Sequence, residues 1–498
     1  MPCELAIAIA AAVSSRAGLI TFAILNCNPE VVYDLVLSME PATPGLRREL
    51  GARDLTLFAI AGIIGVRWIA SAAHAGSGSI LLWLLAALFF LIPLSIAVAA
   101  LTARDPGAGG MYLWSRRDFG PWHGFLCFWI YWMSTVIWFP SAAMFYSSAA
   151  VFTLGSRYAA LANNRMYLVA ASLLIIWIAL GTNIVGMKIG KWTENLGAIS
   201  TWTLGIMLAV VAFLIWKQRG SATHFHLLPD FNWGTVNFWA SIAYGMTGME
   251  VAGLMGAEMR NPARDLPRAA WIASVFTTLF YAGSTAALLV VLAPEKISDL
   301  NGLAQTGQAA GEILGASWLS SCLAALVLCS AIGQFGSLAS GVARMPFAAG
   351  ADHLLPEPFA RIHPRWATPW ISILTFGALA SVLLIAVQLG DTAQAAYQTT
   401  VSLMVISGFL PFLYIFGSAW KAGNKLSAIS GWAVTVLAIV CAVVPTSEVT
   451  RIWLFELKLA LGTAAVILSA LAVYRRQSRL TYPAYSATPR PSPPAFHN

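Results

Sequence analysis

Two stretches of sequence decide the fold of this 498-residue chain. The first reads Ala61-Gly62-Ile63-Ile64-Gly65-Val66-Arg67, and the second reads Tyr244-Gly245-Met246-Thr247-Gly248-Met249-Glu250. Each contains two glycines spaced as G-x-x-G inside a long apolar segment, and an ionisable residue follows the second glycine by two positions. Because glycine weakens a helix, both stretches predict an interruption within an otherwise continuous apolar helix.

The composition around these stretches indicates a membrane protein. Apolar residues make up 58% of the chain and charged residues 10%, whereas soluble domains carry roughly 25% charged residues. The mean hydropathy is +0.73. The apolar runs have the length of about 20 residues that a helical crossing needs, so the sequence predicts an all-α polytopic membrane protein.

Apolar windows separated by polar, glycine or proline clusters give about twelve predicted transmembrane helices. They lie at about 55–75, 80–101, 122–154, 167–187, 193–216, 236–256, 269–292, 317–340, 369–389, 394–420, 430–445 and 453–474. The first ten form two predicted repeats, 55–216 and 236–420, and two further helices follow at 430–474. Together they belong to a predicted transmembrane domain of residues 47–478.

The ends of the chain differ from this domain. Residues 1–46 are predicted to be a peripheral or poorly ordered segment, with a further crossing over residues 5–25 as the alternative. Residues 479–498 are rich in proline and polar side chains, which predicts a disordered tail.

The basic residues predict the orientation. If residues 47–54 are cytoplasmic, most of the 29 Lys and Arg fall in loops on that same side. This asymmetry is typical of short cytoplasmic loops, so we expect a protein of the cell membrane with both termini in the cytoplasm. The insertion bias of the loops therefore accounts for the net charge of +8, and we expect no nucleic acid partner.

The two interruptions occupy matching positions, because a repeat of five helices makes the sixth crossing the counterpart of the first. Backbone groups freed within a membrane must face protein, water or a ligand. Interrupted helices at corresponding positions of two repeats indicate the binding site of a transporter. The alternative is that each glycine pair only allows close packing of helices.

Further motifs accompany the two interruptions in a consistent order. They are Asp105-Pro106-Gly107-Ala108-Gly109-Gly110-Met111-Tyr112, Gly124 with Trp129 to Trp132, the stretch Gly256 to Ala269, and the stretch Arg344 to Pro369 with Asp352, Pro356 and Thr368. In combination, over residues 50–420, they resemble the amino acid, polyamine and organocation permease superfamily.

The resemblance implies a five-plus-five inverted-repeat fold of the leucine-transporter type, with discontinuous helices 1 and 6. It also implies secondary active transport of an amino acid or related amine by alternating access around a midplane site. The implied substrate-binding residues are Gly62, Ile63, Ile64, Gly65, Val66, Arg67, Tyr244, Gly245, Met246, Thr247 and Gly248. Alternatives are an antiporter that exchanges an amino acid for an amine, and a solute sensor that binds without transport.

Each interruption is expected to hold one end of a zwitterion. The amides of Ile64, Gly65 and Val66 lie at the positive end of the half-helix that follows and are expected to receive a carboxylate. Carbonyls around Tyr244 to Thr247 are expected to accept an ammonium group.

The first interruption differs from the G-S-G type found in many members of the superfamily, because it reads Gly62-Ile63-Ile64-Gly65 and is followed by Arg67. An arginine at the bilayer centre costs roughly 2.5–3.5 kcal/mol on insertion scales, so we expect it to face a partner or a cavity. It has three candidate roles in transport: a charge for an anionic substrate group, an ion pair with Glu250, or a replacement for a coupling cation. The alternative is a purely structural ion pair.

Tyr244 and Glu250 are the predicted gating residues. Related exchangers place an aromatic that closes over the substrate at the position of Tyr244, and Glu250 matches a carboxylate implicated in proton-linked gating. The fifth predicted transmembrane helix lacks the lysine that some proton-coupled relatives carry there. The hydroxyls of Ser337 and Ser340 in the eighth form a possible sodium site. No Walker-type motif or metal-ligand spacing occurs, so the sequence predicts no enzyme, cofactor or resident metal.

Overall fold

The computed structural model describes residues 48–229, 233–298, 301–387, 393–445 and 452–481. The predicted segment 1–46 lies outside the described residues, and so does the tail from residue 482 onward. The last helix extends to Thr481, beyond the predicted boundary at residue 478.

Helices make up almost all of the described ranges. They are α1 (Ala52–Ile63), α2 (Arg67–His74), α3 (Ser79–Ala86), which a π-helical turn (Ala87–Leu91) joins to α4 (Ile92–Arg104), α5 (Met111–Phe119), α6 (Pro121–Ala150), α7 (Arg165–Val185), α8 (Met187–Arg219), α9 (Trp233–Gly245), α10 (Met249–Leu254), α11 (Pro262–Val291), α12 (Gly302–Leu314), α13 (Trp318–Val342), α14 (Arg344–Ala351), α15 (Trp370–Val387), α16 (Ala393–Lys421), α17 (Lys425–Val443) and α18 (Ile452–Thr481).

The predicted class, a polytopic α-helical membrane protein, is confirmed. Among the described residues, nine helices are long and apolar enough to cross a membrane, and the bent pair α1 and α2 gives a tenth. The count of twelve stays a prediction. The sixth predicted crossing is divided between α9 and α10, and the ninth corresponds to a shorter apolar helix over Trp370–Ala386.

Two backbone segments hold the start of α1. The Leu50 amide donates to the Glu258 carbonyl at 3.0 Å, and the Leu50 carbonyl accepts from the Arg260 amide at 2.9 Å. The Glu258 carboxylate in turn forms a buried ion pair with Arg344 at 2.8 Å. The beginning of α1 is therefore attached to the turn after α10 and, through it, to α14.

Close contact between α8 and α13 depends on glycine. A methyl group added at Gly197 of α8 would lie 2.4 Å from the Cα atom of Gly333 in α13. Small residues allow helix backbones to approach in this way inside a membrane protein. This contact positions α13, which also touches α1 where the Ser337 hydroxyl donates to the Phe58 carbonyl at 3.0 Å.

We therefore expect Gly197→Ala to destabilise the protein. Overpacking costs about 1–3 kcal/mol, which exceeds the gain of about 1 kcal/mol in helix propensity from Gly to Ala. Gly283→Ala is the matched control, because Gly283 lies within α11 and an added methyl meets nothing within 4 Å. Thermal unfolding of the purified protein in detergent should show a lower midpoint for Gly197→Ala alone. Equal midpoints for the two variants would contradict the proposed contact.

Candidate functional site

The first interruption separates α1 from α2, whose axes differ in direction by 46°. Ile64 has an extended backbone conformation with φ −77° and ψ 103°. Its amide still donates to the Ile60 carbonyl at 3.0 Å, while the Gly65 amide donates to the hydroxyl of Tyr281 at 2.8 Å. That hydroxyl donates to the Ile63 carbonyl at 3.1 Å. The predicted interruption is thus confirmed, and one tyrosine from α11 satisfies part of its backbone.

The second interruption separates α9 from α10, which also confirms the prediction. Gly248 has φ +119°, a left-handed conformation that favours glycine. The amide and hydroxyl of Thr247 both donate to the Tyr244 carbonyl, at 3.0 and 2.8 Å. The Gly248 amide donates to Oε2 of Glu250 at 2.8 Å. Local side chains therefore satisfy much of the backbone that the helix releases here.

The two interruptions touch each other. A Cβ atom added at Gly248 would lie 2.7 Å from the Gly62 carbonyl oxygen and 2.8 Å from the Ile63 Cα atom. Both of these contacts are with backbone, which cannot move aside as a side chain can. Gly248 is therefore required by its φ angle and by the close crossing of the two chain segments.

A cavity lies at this crossing. Its lining consists of Gly62, Ile63, Trp68, Tyr131, Thr135, Trp138, Tyr244, Thr247, Gly248, Glu250, Gln334 and Leu338. Five predicted binding residues and both predicted gating residues are among them. The other predicted binding residues, Ile64, Gly65, Val66, Arg67, Gly245 and Met246, do not line it.

Sequence reasoning missed the wall that α6 and α13 contribute. Tyr131, Thr135 and Trp138 are spaced as i, i+4 and i+7, so they share one face of α6. Gln334 and Leu338 have the same i, i+4 relation in α13. The spacing is visible in the sequence, but α6 is apolar and mostly buried around its circumference, so its periodicity does not identify the face toward the cavity.

Glu250 places a carboxylate in the cavity wall. The side chain is 2% exposed, and its Oε1 atom accepts a hydrogen bond from the Tyr131 hydroxyl at 2.8 Å. Its Oε2 atom accepts from the Gly248 amide. Each carboxylate oxygen has two lone pairs, so these bonds leave acceptor capacity for a donor inside the cavity.

Arg67 is the first residue of α2 and is fully buried. Its Nη1 donates to the Ser141 hydroxyl at 2.5 Å, and its Nη2 contacts the Met404 sulfur at 3.4 Å. The guanidinium carbon lies 4.1 Å from the ring centre of Trp68 and 5.1 Å from that of Trp138. No ion pair between Arg67 and Glu250 is present, because Glu250 is bonded to Tyr131 and Gly248 instead.

Tyr244 stands between two other aromatic rings. It makes edge-to-face contacts with Trp68 at 5.8 Å and with Phe409 at 5.5 Å between ring centres. Gly408 leaves room for it, since an added methyl there would lie 2.6 Å from the tyrosine hydroxyl. These contacts place the ring at the second interruption, and its gating role stays a prediction.

Ser337 and Ser340 have different surroundings. The Ser337 hydroxyl meets a carbonyl of α1, as the sodium hypothesis expects. The Ser340 hydroxyl instead donates to the Ser337 carbonyl at 3.0 Å and to Oε1 of the buried Glu194 at 3.3 Å. Within the described part of the chain, no group of three or more His, Cys, Asp or Glu residues has the arrangement of a metal site.

Comparison with known proteins decides the family. A family model described as amino acid permease matches residues 50–455. The chain belongs to the amino acid permease family. It is 24% identical to an uncharacterised transporter of Legionella pneumophila, over 82% of this chain and 93% of that protein.

Two other relatives have more specific names. The chain is 24% identical to a probable agmatine/putrescine antiporter of Lactococcus lactis, over 75% of this chain and 80% of the relative. It is 26% identical to a serine/threonine exchanger of Bacillus subtilis, over 68% of this chain and 77% of the relative. The permease is therefore a multi-pass membrane protein, and the names of its family and of these relatives point to transport of amino acids or amines.

We expect Gly248→Ala to abolish transport by the permease. Gly315→Ala is the matched control, because Gly315 is also left-handed, with φ 64° and ψ 26°, but has no neighbour within 4 Å of an added methyl. The strain of a left-handed alanine, roughly 1–2 kcal/mol, is common to both variants, whereas the clash with Gly62 and Ile63 belongs to Gly248 alone. Uptake of a labelled amino acid mixture, normalised to the amount of protein in the membrane, measures the difference. Equal uptake by both variants would refute the importance of the crossing.

Proposed function

We propose that the permease is a secondary active transporter that moves amino acids across the cell membrane by alternating access. The observation that carries this proposal is the cavity at the crossing of the two interruptions, with the carboxylate of Glu250 in its wall. In this proposal the chain crosses the membrane twelve times, both termini are cytoplasmic, and the substrate binds at the midplane between the first crossing, α1 and α2, and the sixth crossing, α9 and α10.

The lining suits a small zwitterion with an organic side chain. Trp68, Tyr131, Trp138 and Tyr244 offer apolar faces with polar edges, as ligand sites commonly do. The substrate ammonium group binds Glu250, because this carboxylate retains acceptor capacity in a low-dielectric site. Of the predicted binding residues, the substrate contacts those that line the cavity, Gly62 and Ile63 from the first interruption and Tyr244, Thr247 and Gly248 from the second.

Transport follows from hinge motion at the interruptions. Tyr244 acts as the gate, and Glu250 takes up a proton during the cycle. Sodium at Ser337 and Ser340 is the alternative coupling ion, supported by the Ser337 hydroxyl beside the α1 carbonyl of Phe58. Exchange of an amino acid for an amine is the second candidate function, because the named relatives are an antiporter and an exchanger.

Counterflow in proteoliposomes tests transport itself. Vesicles that contain the purified permease and unlabelled amino acids should accumulate external labelled amino acid, because alternating access exchanges bound substrate across the membrane. Vesicles with the Gly248→Ala variant are the control. An imposed proton or sodium gradient distinguishes a symporter from an exchanger. Binding of amino acids without any flux would identify a sensor and refute the proposal.

Glu250→Gln tests the ammonium site. Loss of a hydrogen bond to a charged group costs about 1.5–3 kcal/mol, so amino acid affinity should fall about tenfold or more. Transport should also lose its dependence on pH between about 5 and 8, since glutamine cannot take up a proton. Tyr131→Phe is the control, because it removes one hydrogen bond to Glu250 and keeps the carboxylate. Unchanged affinity and an unchanged pH profile in Glu250→Gln would exclude this role.

A further inference from the structure

Among the residues that the structure describes, two arginines are fully or almost fully buried, and they differ in one respect. Arg344, 2% exposed, forms an ion pair with Glu258 at 2.8 Å. Arg67 is 0% exposed, yet no carboxylate within the described ranges lies at ion-pairing distance from it. A buried charge is costly when it is not paired. Arg67 is therefore a buried cation without an anionic partner in this part of the chain, and an anion bound beside it would stabilise its charge.

The hydrogen bonding of Arg67 is also incomplete. Its Nε atom is buried and has no hydrogen-bond partner, and Nη2 contacts only a thioether sulfur, which is a weak acceptor. The Ser141 hydroxyl is its single oxygen acceptor among the residues that the structure describes. Since a guanidinium group has five N–H donors, most of its capacity to bind a carboxylate is unused.

Arg67 lies directly beside the cavity. Trp68 and Trp138, whose rings stack within 4.1 and 5.1 Å of the guanidinium carbon, both line that cavity. The indole rings of Trp68 and Trp138 therefore separate the guanidinium group from the cavity. Binding of a carboxylate by Arg67 requires one of these rings to turn aside.

The backbone amides of Ile64 and Gly65 in the first interruption are not free to bind a carboxylate. The amides of Ile64 and Gly65, which the sequence offered as carboxylate donors, already donate to the Ile60 carbonyl and the Tyr281 hydroxyl. A substrate carboxylate must displace these bonds or find another donor. Arg67 lies two positions after Gly65 and is a stronger partner, because a guanidinium group carries a full charge and can donate to both carboxylate oxygens at once.

We propose that Arg67 anchors the carboxylate of the substrate and thereby restricts the permease to carboxylate-bearing amino acids, to the exclusion of diamines. This inference rests on the proposed function. Glu250 holds the ammonium group, and the fixed guanidinium charge repels a second cationic group in its place. The substrate class is therefore set by one arginine and one glutamate that do not pair with each other.

Ligand binding to the full-length purified permease tests the proposal without any variant. Each of a panel of amino acids is compared with its decarboxylated amine and with its carboxamide, by thermal shift and by competition for a labelled amino acid. We expect the amine and the carboxamide to bind about tenfold more weakly or worse, because each lacks the carboxylate. Equal binding of an amino acid and its carboxamide would overturn the proposal.

Arg67→Gln and Ser141→Ala then assign the effect to the guanidinium group. Arg67→Gln should lose about tenfold or more in amino acid affinity and should no longer discriminate against amines. Ser141→Ala, the control, removes the hydroxyl that Arg67 donates to but leaves the charge, so discrimination should persist. Unchanged discrimination in Arg67→Gln would overturn the proposal, and if that variant does not fold, the carboxamide comparison decides.

The same panel separates this inference from the proposed function. If no amino acid binds the wild-type permease or drives counterflow, the proposed function fails, and the inference fails with it. If amino acids are transported and diamines are transported equally well, the proposed function stands and the assignment of Arg67 is wrong.

Discussion

The structure depends on how two interrupted helices satisfy their backbone groups inside a membrane-embedded bundle. Hydrocarbon offers no hydrogen bonds, so every amide and carbonyl that an interruption releases needs a partner from the protein or a ligand. Tyr281 meets this need at the first interruption, where its hydroxyl serves both the Gly65 amide and the Ile63 carbonyl. Its ring is fixed by stacking on Trp83 at 4.2 Å. Thr247 and Glu250 have the same function at the second interruption.

These contacts separate the stabilisation of the interruptions from the binding of substrate, two roles that the same backbone groups would otherwise share. Because Tyr281 accepts from the Gly65 amide, this backbone group has a hydrogen-bond partner without a ligand. Glu250 likewise stabilises the Gly248 amide while it faces the cavity. In the function that we propose, the charge for recognition comes from side chains, Arg67 near one wall and Glu250 in another. Such a site can be present before the substrate arrives, which reduces the cost of ordering it on binding.

The sequence predicted the features that depend on the local spacing of residues, such as the two interruptions. The G-x-x-G pairs located both interruptions, because glycine spacing and flanking apolar residues suffice to predict a weak point in a helix. Tyr281 could not be found in this way, since it lies 216 positions from Gly65. The missing ion pair of Arg67 is also a property of tertiary packing, because only the fold shows that Ser141 and Met404 surround it.

The serines show the same limit at finer scale. Ser337 and Ser340 lie on one helix face, and their spacing suggested a common site. In the structure Ser337 contacts α1 through Phe58, whereas Ser340 contacts α8 through Glu194. Residues one helical turn apart reach different neighbours when two helices meet the same face. Spacing therefore identifies a shared face, and the partners on that face depend on how neighbouring helices pack.

The two halves of the first interrupted helix are held by different neighbours, and this arrangement suits hinge motion. The start of α1 is bonded to Glu258 and Arg260 after α10. The end of α2 is held elsewhere, where the His74 ring nitrogen is 2.8 Å from the Ile297 carbonyl. A rotation about the residues between α1 and α2 can therefore break one attachment while the other persists. An unbroken helix would transmit the displacement of one end to the other, so in the alternating access that we propose the interruption lets each side of the cavity close independently.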